Sequence, residues 1–320
     1  MMRNVVRACI VALSLVSSLA MAQAYPSKPV KIVIGFGPGS GTDIVARLLA
    51  EEFQKMLGQP FIVENKPGAA AQIAANQVKA APPDGYTLLL TSNTTHSVNP
   101  HIFKKLQYDP IADFTPIGGV GYFPFILAVD AKLPVKTPQE LVAWAKANKG
   151  NVFYAYGTPT VQIPAEAINK IEKLEATGVP YKSSPDAMTD VIGGRAQFMV
   201  VDLASSQPQV KAGRLRALAV AGPQRAPGLP DVPTLEEAGV AGIDVAQWYA
   251  VFAPAGTPKA IVERLNEALN QVLADRDVVR RMEDNGASVE ASTPAQLREL
   301  VASELDKWRG VVARAGLGRR

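Results

Sequence analysis

Short apolar runs alternate with amphipathic stretches along almost the whole chain, and few folds accommodate that alternation. The run from Val30 to Phe36 is almost continuously apolar, and a glycine-rich loop and a helical pattern over Asp43 to Leu57 follow it. Nearly continuous apolar strands separated by helices are typical of parallel sheets covered on both faces. The sequence therefore predicts an α/β fold with mostly parallel strands. Further strands are predicted at 61–64, 86–92, 123–129, 151–157, 197–202 and 216–221.

Three helices are predicted to begin at a Thr-Pro pair: Thr137-Pro138, Thr257-Pro258 and Thr293-Pro294. Threonine can cap a helix, and proline at the first helical position loses no needed hydrogen-bond donor. The last two helices are long, and each carries one apolar face. We therefore expect them to pack on the body of the protein.

The first 24 residues have the pattern of a secretory signal peptide. Arg3 and Arg7 precede an apolar stretch of about ten residues, and Ala22-Gln23-Ala24 forms a small-residue cleavage site. A membrane anchor would need about 20 apolar residues. We therefore expect export and cleavage near Ala24. Cys9 is the only cysteine of the chain, so the mature protein would contain no disulfide.

Composition excludes several classes of protein. With 48% apolar and 19% charged residues in 320, the chain can bury a core and is not a disordered protein. The formal net charge is only +4, and basic residues are interspersed with acidic ones. No basic run reaches five residues, so we expect no nucleic-acid partner.

Two strand–loop–helix units contain loops that are candidates for anion binding. The loop Gly35 to Thr42 reads GFGPGSGT, and Gly157 to Ile163 reads GTPTVQI. Each places small residues and backbone N–H groups at a helix N-terminus, where an anion is favoured. The first loop lacks the spacing of a dinucleotide fingerprint, and no Gly-Lys-Ser/Thr is present for a phosphate loop. The alternative is a glycine-rich turn without a ligand.

A catalytic set is hard to assemble from this sequence. Ser40 is flanked by Pro38 and Thr42 where a nucleophile elbow needs glycine. The only histidines, His96 and His101, have no Cys, Asp or Glu close by in sequence, which makes a poor metal site. We expect no cofactor, no metal and no enzymatic activity.

Several motifs recur in order along the chain and together carry a resemblance to one family. The chain resembles the Bug-type periplasmic solute receptors of tripartite tricarboxylate transporters over essentially all of its predicted mature sequence. The motifs are YPSKP at 25–29, VENKPGA at 63–69, PDGY at 83–86, NP at 99–100, YDP at 108–110, VPYK at 179–182, KAG at 211–213, LRALAV at 215–220, LPDVPT at 229–234 and APAGTP at 253–258.

This resemblance implies a two-domain periplasmic-binding-protein fold, the type II Venus flytrap, in which the chain crosses between the domains twice. We expect crossings near Tyr122 to Leu127 and near Trp248 to Ala253. Residues 25–125 and 251–320 would then form domain 1, and residues 126–250 domain 2. The resemblance also implies a monomeric periplasmic receptor that captures a small carboxylate and delivers it to the membrane permease subunits of a tripartite tricarboxylate transporter.

The resemblance and the residues together indicate which side chains hold the ligand. The two loops depart from the family pattern, since 36–43 reads FGPGSGTD rather than close to F-P-P-G-G-x-T-D, and 157–164 lacks the usual histidine. The carboxylate identity therefore stays open. The expected site residues are Gly39, Ser40, Gly41, Thr42, Ser92, Asn93, Thr94, His96, Thr158, Thr160, Gln162, Tyr181 and Asp202.

Two alternatives remain at this point. An exported hydrolase or transferase could use the same cleft, with Ser40 or Ser92 as the nucleophile and His96 as the base. A structural envelope protein would have no ligand at all.

Overall fold

The computed structural model of the protein describes residues 25–243 and 245–319. The predicted signal peptide, residues 1–24, lies outside the described residues. Strands and helices alternate through most of the described chain, as the sequence predicts. Within these ranges no helix combines the length and the apolar character that a membrane span requires.

The strands vary from two to 17 residues in length. They are β1 (Val30–Ile34), β2 (Phe61–Asn65), β3 (Thr87–Ser92), β4 (Phe114–Asp130), β5 (Phe153–Tyr156), β6 (Thr177–Pro180), β7 (Phe198–Asp202), β8 (Leu215–Ala221), β9 (Ala246–Pro254) and β10 (Ser288–Val289).

The helices cover both faces of the sheet that these strands form. They are α1 (Gly41–Leu57), α2 (Gln72–Lys79), α3 (Asn99–Ile102), α4 (Pro138–Ala147), α5 (Pro159–Ile171), α6 (Ser184–Ile192), α7 (Leu203–Lys211), α8 (Lys259–Ala274), α9 (Arg276–Glu283) and α10 (Pro294–Ala315).

One sheet runs through the molecule in two halves that share β4. In the first half the order is β2-β1-β3-β9-β4, with β1 parallel to β2 and β3, and with β10 on the far side of β4. In the second half β7 and β8 flank the end of β4, and β5 and β6 follow β7 in parallel. The carboxyl ends of the parallel strands in both halves are followed by loops that begin helices.

The long strand β4 passes from one half to the other at Pro124 and Phe125. Pro124 is the last residue that pairs with β9, opposite Ala246, and Phe125 is the first that pairs with β7, opposite Asp202. The chain returns to the first half as β9 begins at Ala246. These two places lie in or next to the segments where the sequence predicts crossings, and the domain division itself stays a proposal.

The core has separate apolar clusters on the two halves. Phe53, Leu88 and Phe123 belong to the cluster of the first half, and Phe198 belongs to a cluster of the second half. Helix α10 contacts both halves, because its start packs with β9 and its end, around Trp308, packs with the cluster that contains Phe198. The C-terminal helix therefore joins the two halves in addition to β4 and β9.

Candidate ligand-binding cleft

A cavity of about 430 Å³ lies where the two halves face each other. The first half contributes the loop after β1 and the loop after β2, and the second half contributes the loops after β5 and β6. This volume falls in the range of small-molecule sites, which are roughly 300–1,000 Å³. The lining residues are Gly35, Phe36, Gly37, Ser40, Pro67, Gly68, Ala69, Ala70, Ala71, Gly157, Thr158, Tyr181, Lys182, Ser183 and Ser184.

Three helices begin at this cavity. Ser40, Thr158 and Ser183 are the N-cap residues of α1, α5 and α6, and all three line the cavity. The N–H groups of a helix's first turn point back toward its N-cap and lack intrahelical acceptors. The positive ends of three helix dipoles therefore meet at one cavity, which favours an anion there.

The loop that begins α1 is held in shape by Asp43. Its carboxylate accepts hydrogen bonds from the Gly39 N–H at 3.0 Å and from Arg47 Nε at 3.0 Å, and Asn65 Nδ2 donates to its other oxygen at 2.9 Å. Burial acts to raise the pKa of Asp43, but these hydrogen bonds outweigh it and hold the pKa below its usual value. Gly39 has a φ of +77°, which suits glycine. Asp43 thus holds the loop in shape from the first turn of α1, and the N-cap is Ser40.

The start of α1 leaves two backbone donors unused within the protein. Ser40 Oγ accepts from the Asp43 N–H at 3.3 Å, and Ile44 N–H bonds the Ser40 carbonyl. The N–H groups of Gly41 and Thr42 have no acceptor within the described chain. Both residues are buried, and neither is part of the cavity wall.

The start of α5 is less well capped than that of α1. Thr158 is its N-cap, but the hydroxyl of Thr158 makes no capping hydrogen bond. Pro159 has no N–H, and the N–H groups of Thr160 and Val161 have no acceptor among the described residues. In α4, by contrast, Thr137 caps the N–H of Glu140 at 3.1 Å. The start of α5 therefore has unsatisfied donors next to the cavity, and of its first residues only the N-cap Thr158 is part of the wall.

The charge lining the cavity also favours an anion. Lys182 is the one charged residue among the lining residues of the described chain, and it makes no ion pair within that part of the chain. The rest of the wall is apolar or carries hydroxyls. A negatively charged ligand would therefore be attracted by Lys182 and would not be repelled by any carboxylate in the wall.

Of the predicted site residues, Ser40, Thr158 and Tyr181 line the cavity. Tyr181 presents its ring, because its hydroxyl donates to Asp190 Oδ2 at 2.7 Å. Burial, together with that hydrogen bond to Asp190, raises the pKa of Tyr181 to about 12. Gly39 belongs to the loop beside Ser40 but is not part of the wall.

Other predicted residues lie behind the wall, where the halves touch. Thr94 Oγ1 and Thr160 Oγ1 are 2.5 Å apart, a hydroxyl pair that joins the π-helical turn Thr94–Val98 to the start of α5. Gln162 is buried on α5 and hydrogen-bonds Tyr154. These residues support the loops of the cavity from behind.

The predicted residues at the end of β3 and just after it turn inward because the chain continues into that buried π-helical turn. Ser92 Oγ donates to Thr94 Oγ1 at 3.2 Å, and Asn93 Nδ2 donates to the carbonyl of Ala246 at 3.0 Å. His96 is fully buried, with its ring stacked 4.0 Å from that of Phe252. Burial lowers the pKa of His96 to about 3. None of these three residues is in the cavity wall.

Asp202 and Gly41 meet at the boundary between the halves. Asp202 is the N-cap of α7, and its carboxylate accepts from Ser205 N–H at 2.9 Å and Ser205 Oγ at 2.9 Å. A Cβ atom on Gly41 would lie 2.4 Å from both Asp202 Oδ1 and the Tyr249 hydroxyl. Burial raises the pKa of Asp202 against the opposing hydrogen bonds from Ser205. The start of α1 is therefore packed directly against the second half.

Sequence reasoning missed three parts of the cavity wall. The alanine run Ala69–Ala71 could not be assigned to the cavity wall from the sequence, because an alanine side chain has no functional group. Lys182 appeared only within a family motif. Ser183 followed by Pro185 and Asp186 has the pattern of a capped helix start, so this third helix N-terminus could have been found from the sequence.

Neither residues 25–243 nor residues 245–319 bring together three His, Cys, Asp or Glu side chains that could hold a metal ion. Asp43 and Asp202, the buried carboxylates beside the cavity, use their oxygens to accept hydrogen bonds from their own helix starts. The donors left over at the cavity are backbone N–H groups, which bind anions rather than cations.

Solved structures similar to this chain include a periplasmic binding protein and two proteins solved with a bound carboxylate. An R. palustris protein solved with adipate has 32% sequence identity and a TM-score of 0.90, over 92% of this chain and 100% of that one. The periplasmic binding protein BugD has 33% identity and a TM-score of 0.88, over 92% and 100%. MatC from Rhodopseudomonas palustris, solved with bound malate, has 34% identity and a TM-score of 0.85, over 90% and 100%.

These similarities confirm the predicted fold class, since the chain has the architecture of a periplasmic binding protein. They extend over both halves of the sheet and over the loops that line the cavity. A family model described as tripartite tricarboxylate transporter family receptor, TctC, matches residues 45–317. The chain therefore belongs to the TctC family of tripartite tricarboxylate transporter receptors, the family that includes the Bug-type proteins.

Proposed function

We propose that the protein binds a small carboxylate in the cavity between its two halves and delivers it to a tripartite tricarboxylate-type permease. The observation that carries the proposal is the convergence of three helix N-termini on a cavity whose wall contains no acidic residue. Structures similar to this chain hold adipate and malate, both of which are carboxylates.

The backbone donors of the two halves suit one carboxylate group. Gly41 and Thr42 would donate from the first half, and Thr160 and Val161 from the second. A carboxylate has two oxygens and about four lone-pair sites, so it can accept from both sides at once. Closing the halves removes water, and the interaction of the charge with the helix starts strengthens in the lower dielectric.

We propose that residues 25–125 with 251–320, and residues 126–250, move as two lobes about the strands β4 and β9. Ligand binding from both sides favours the closed arrangement, and the permease would distinguish closed from open receptors. We further propose that the protein acts in the periplasm as a monomer after cleavage near Ala24. Its family consists of transport receptors, and BugD is periplasmic.

The hydrolase or transferase alternative lacks support at the site. Ser40 lines the cavity, but its hydroxyl accepts from Asp43 N–H, and His96 lies in the core with an imidazole that burial keeps neutral. A serine nucleophile needs a base within hydrogen-bond reach. We therefore propose a receptor that releases its ligand unchanged.

A binding screen with product analysis tests this function. Purified mature protein is heated with a panel of mono-, di- and tricarboxylates and with the matching primary amides as uncharged controls. A carboxylate present at 100 times its Kd should raise the unfolding temperature by roughly 5 °C, whereas its amide should not. Mass spectrometry should recover the acid unchanged. A shift by none of the acids, or conversion of the bound acid to product, would contradict the proposal.

A further inference from the structure

Three consecutive alanines in the cavity wall have left-handed backbone conformations. Ala69, Ala70 and Ala71 have φ angles of 47°, 54° and 66°. In this region the Cβ atom of an L-residue crowds the following carbonyl oxygen, so such residues usually occur singly. A run of three is strained, and glycine would adopt the same turn without that strain. Strained residues persist where the surroundings fix them and are frequent at binding sites.

The surroundings of this alanine turn, Ala69–Ala71, hold it from two sides. Asn99 is fully buried and donates from Nδ2 to the carbonyl of Ala70 at 2.8 Å. The same amide donates to Tyr108, whose hydroxyl in turn donates to the carbonyl of Thr95 at 2.8 Å. Gly35 has no side chain where a Cβ would lie 2.2 Å from that of Ala71. The turn therefore cannot relax without breaking a buried hydrogen-bond network.

The alanine turn lies where its methyl groups would limit the space open to a ligand. All three alanines line the cavity, on the wall formed by the first half, whereas the uncapped start of α5 belongs to the second half. A carboxylate bound between the helix starts would extend the rest of its molecule into the space that the turn bounds. Glycine in place of alanine would relieve the strain and enlarge that space by one methyl group at each position.

We propose that the alanine turn, positioned by Asn99, sets the length of the carboxylate that the cavity accepts. The inference rests on the proposed function, because it concerns the same site. Ala70 is the central specificity-determining residue, and Asn99 is a positioning residue that acts through the Ala70 carbonyl. The strain of the turn is retained because it gives a fixed and shorter cavity.

The chain offers a matched control for the backbone effect. Lys173 also has a positive φ, 53°, but it is exposed, lies between α5 and β6, and is absent from the cavity wall. Replacing Lys173 or Ala70 by glycine relieves the same kind of strain. Only the change at Ala70 alters the cavity.

The test compares wild type, Ala70→Gly and Lys173→Gly by calorimetric titration. The probes are straight-chain mono- and dicarboxylates of four to eight carbons. In Ala70→Gly, affinity for the acid one methylene longer than the wild-type optimum should rise about fourfold relative to the optimum, the effect of one more buried CH₂. Lys173→Gly should keep the wild-type order. Both variants should change the unfolding temperature in the same direction.

Three outcomes would overturn the inference. If Ala70→Gly binds acids in the wild-type order of chain length, or if Lys173→Gly shifts the order as well, the alanine turn does not set ligand length while carboxylate binding stands. If wild-type protein binds no acid of either series but a neutral relative instead, the proposed function fails first and the inference falls with it.

Discussion

Gly41 leaves no room for a side chain, because a Cβ atom there would lie 2.4 Å from two buried oxygen atoms. One is Oδ1 of Asp202, at the end of β7, and the other is the hydroxyl of Tyr249, on β9. Burial raises the pKa of Tyr249, and the nearby Asp202 raises it further, so that phenol remains neutral. The glycine thus allows α1 to approach the second half closely.

Replacing Gly41 by alanine should weaken ligand binding and leave the fold intact. The added methyl clashes with Asp202 of the second half and so hinders full closure, whereas the Tyr249 hydroxyl of the first half must shift in either arrangement. Overpacking of this kind costs roughly 1–3 kcal/mol, so the Kd should rise about fivefold or more. Gly41→Leu should abolish binding. Calorimetric titration with a carboxylate identified in the screen measures both effects.

Gly310→Ala is the control for the substitution at Gly41. It lies within α10, where a Cβ would contact only the end of the flexible Arg314 side chain at 3.5 Å. Its affinity should equal that of wild type. An affinity of Gly41→Ala within twofold of wild type would show that close contact at this residue is not needed for binding.

Residue types and their positions in the sequence identified some site residues correctly and misplaced others. Ser40 and Thr158 were found because they lie in the two loops that place small residues and backbone N–H groups at a helix start. His96 was included because it follows a strand, yet a buried turn carries its ring into the aromatic core beside Phe252. Ala70 could not be found, because three alanines favour a right-handed helix by propensity and only Asn99 and the cavity fix them otherwise.

At the scale of elements, the starts of the helices decide what the cavity can bind. Thr137 and Thr293 cap α4 and α10 as the Thr-Pro pairs predict, and Thr293 forms a full capping box with Gln296. At the third pair the prediction was wrong. Thr257 donates its hydroxyl to the Pro254 carbonyl, and Pro258 becomes the N-cap of α8.

Thr158→Ala should weaken ligand binding with little effect on the stability of the unliganded protein. Thr158 lines the cavity, so its hydroxyl is placed to contact a ligand. That hydroxyl makes no capping hydrogen bond, so its loss removes no cap. Thr137→Ala is the matched control, because it removes a cap that exists and should cost about 1 kcal/mol. Denaturant unfolding with and without a carboxylate separates the two effects.

The reverse result would contradict this account of α5. If Thr158→Ala destabilises the unliganded protein as much as Thr137→Ala does and leaves the ligand's stabilisation unchanged, the helix start is a structural cap. The ligand would then be held elsewhere.

At the scale of the whole molecule, the alternation of apolar runs and amphipathic stretches predicted the α/β class, but the expectation of mostly parallel strands was wrong, because β4 and β9 pair antiparallel with their neighbours. Nearly continuous apolar strands require cover on both faces, and the helices provide it. The pairing of β4 with both halves depends on contacts between residues far apart in sequence, so its crossing point was placed by family resemblance. The contact of the end of α10 with the second half, around Trp308, had no signal in the sequence.

The central claim is that backbone N–H groups at helix starts from both halves hold one carboxylate. A crystal structure of the protein with a carboxylate from the screen tests it most directly. We predict carboxylate oxygens within about 3 Å of the nitrogen of Gly41 or Thr42 and of the nitrogen of Thr160 or Val161. A bound acid that contacts none of these nitrogens, with their hydrogen bonds made to the protein itself, would contradict the account.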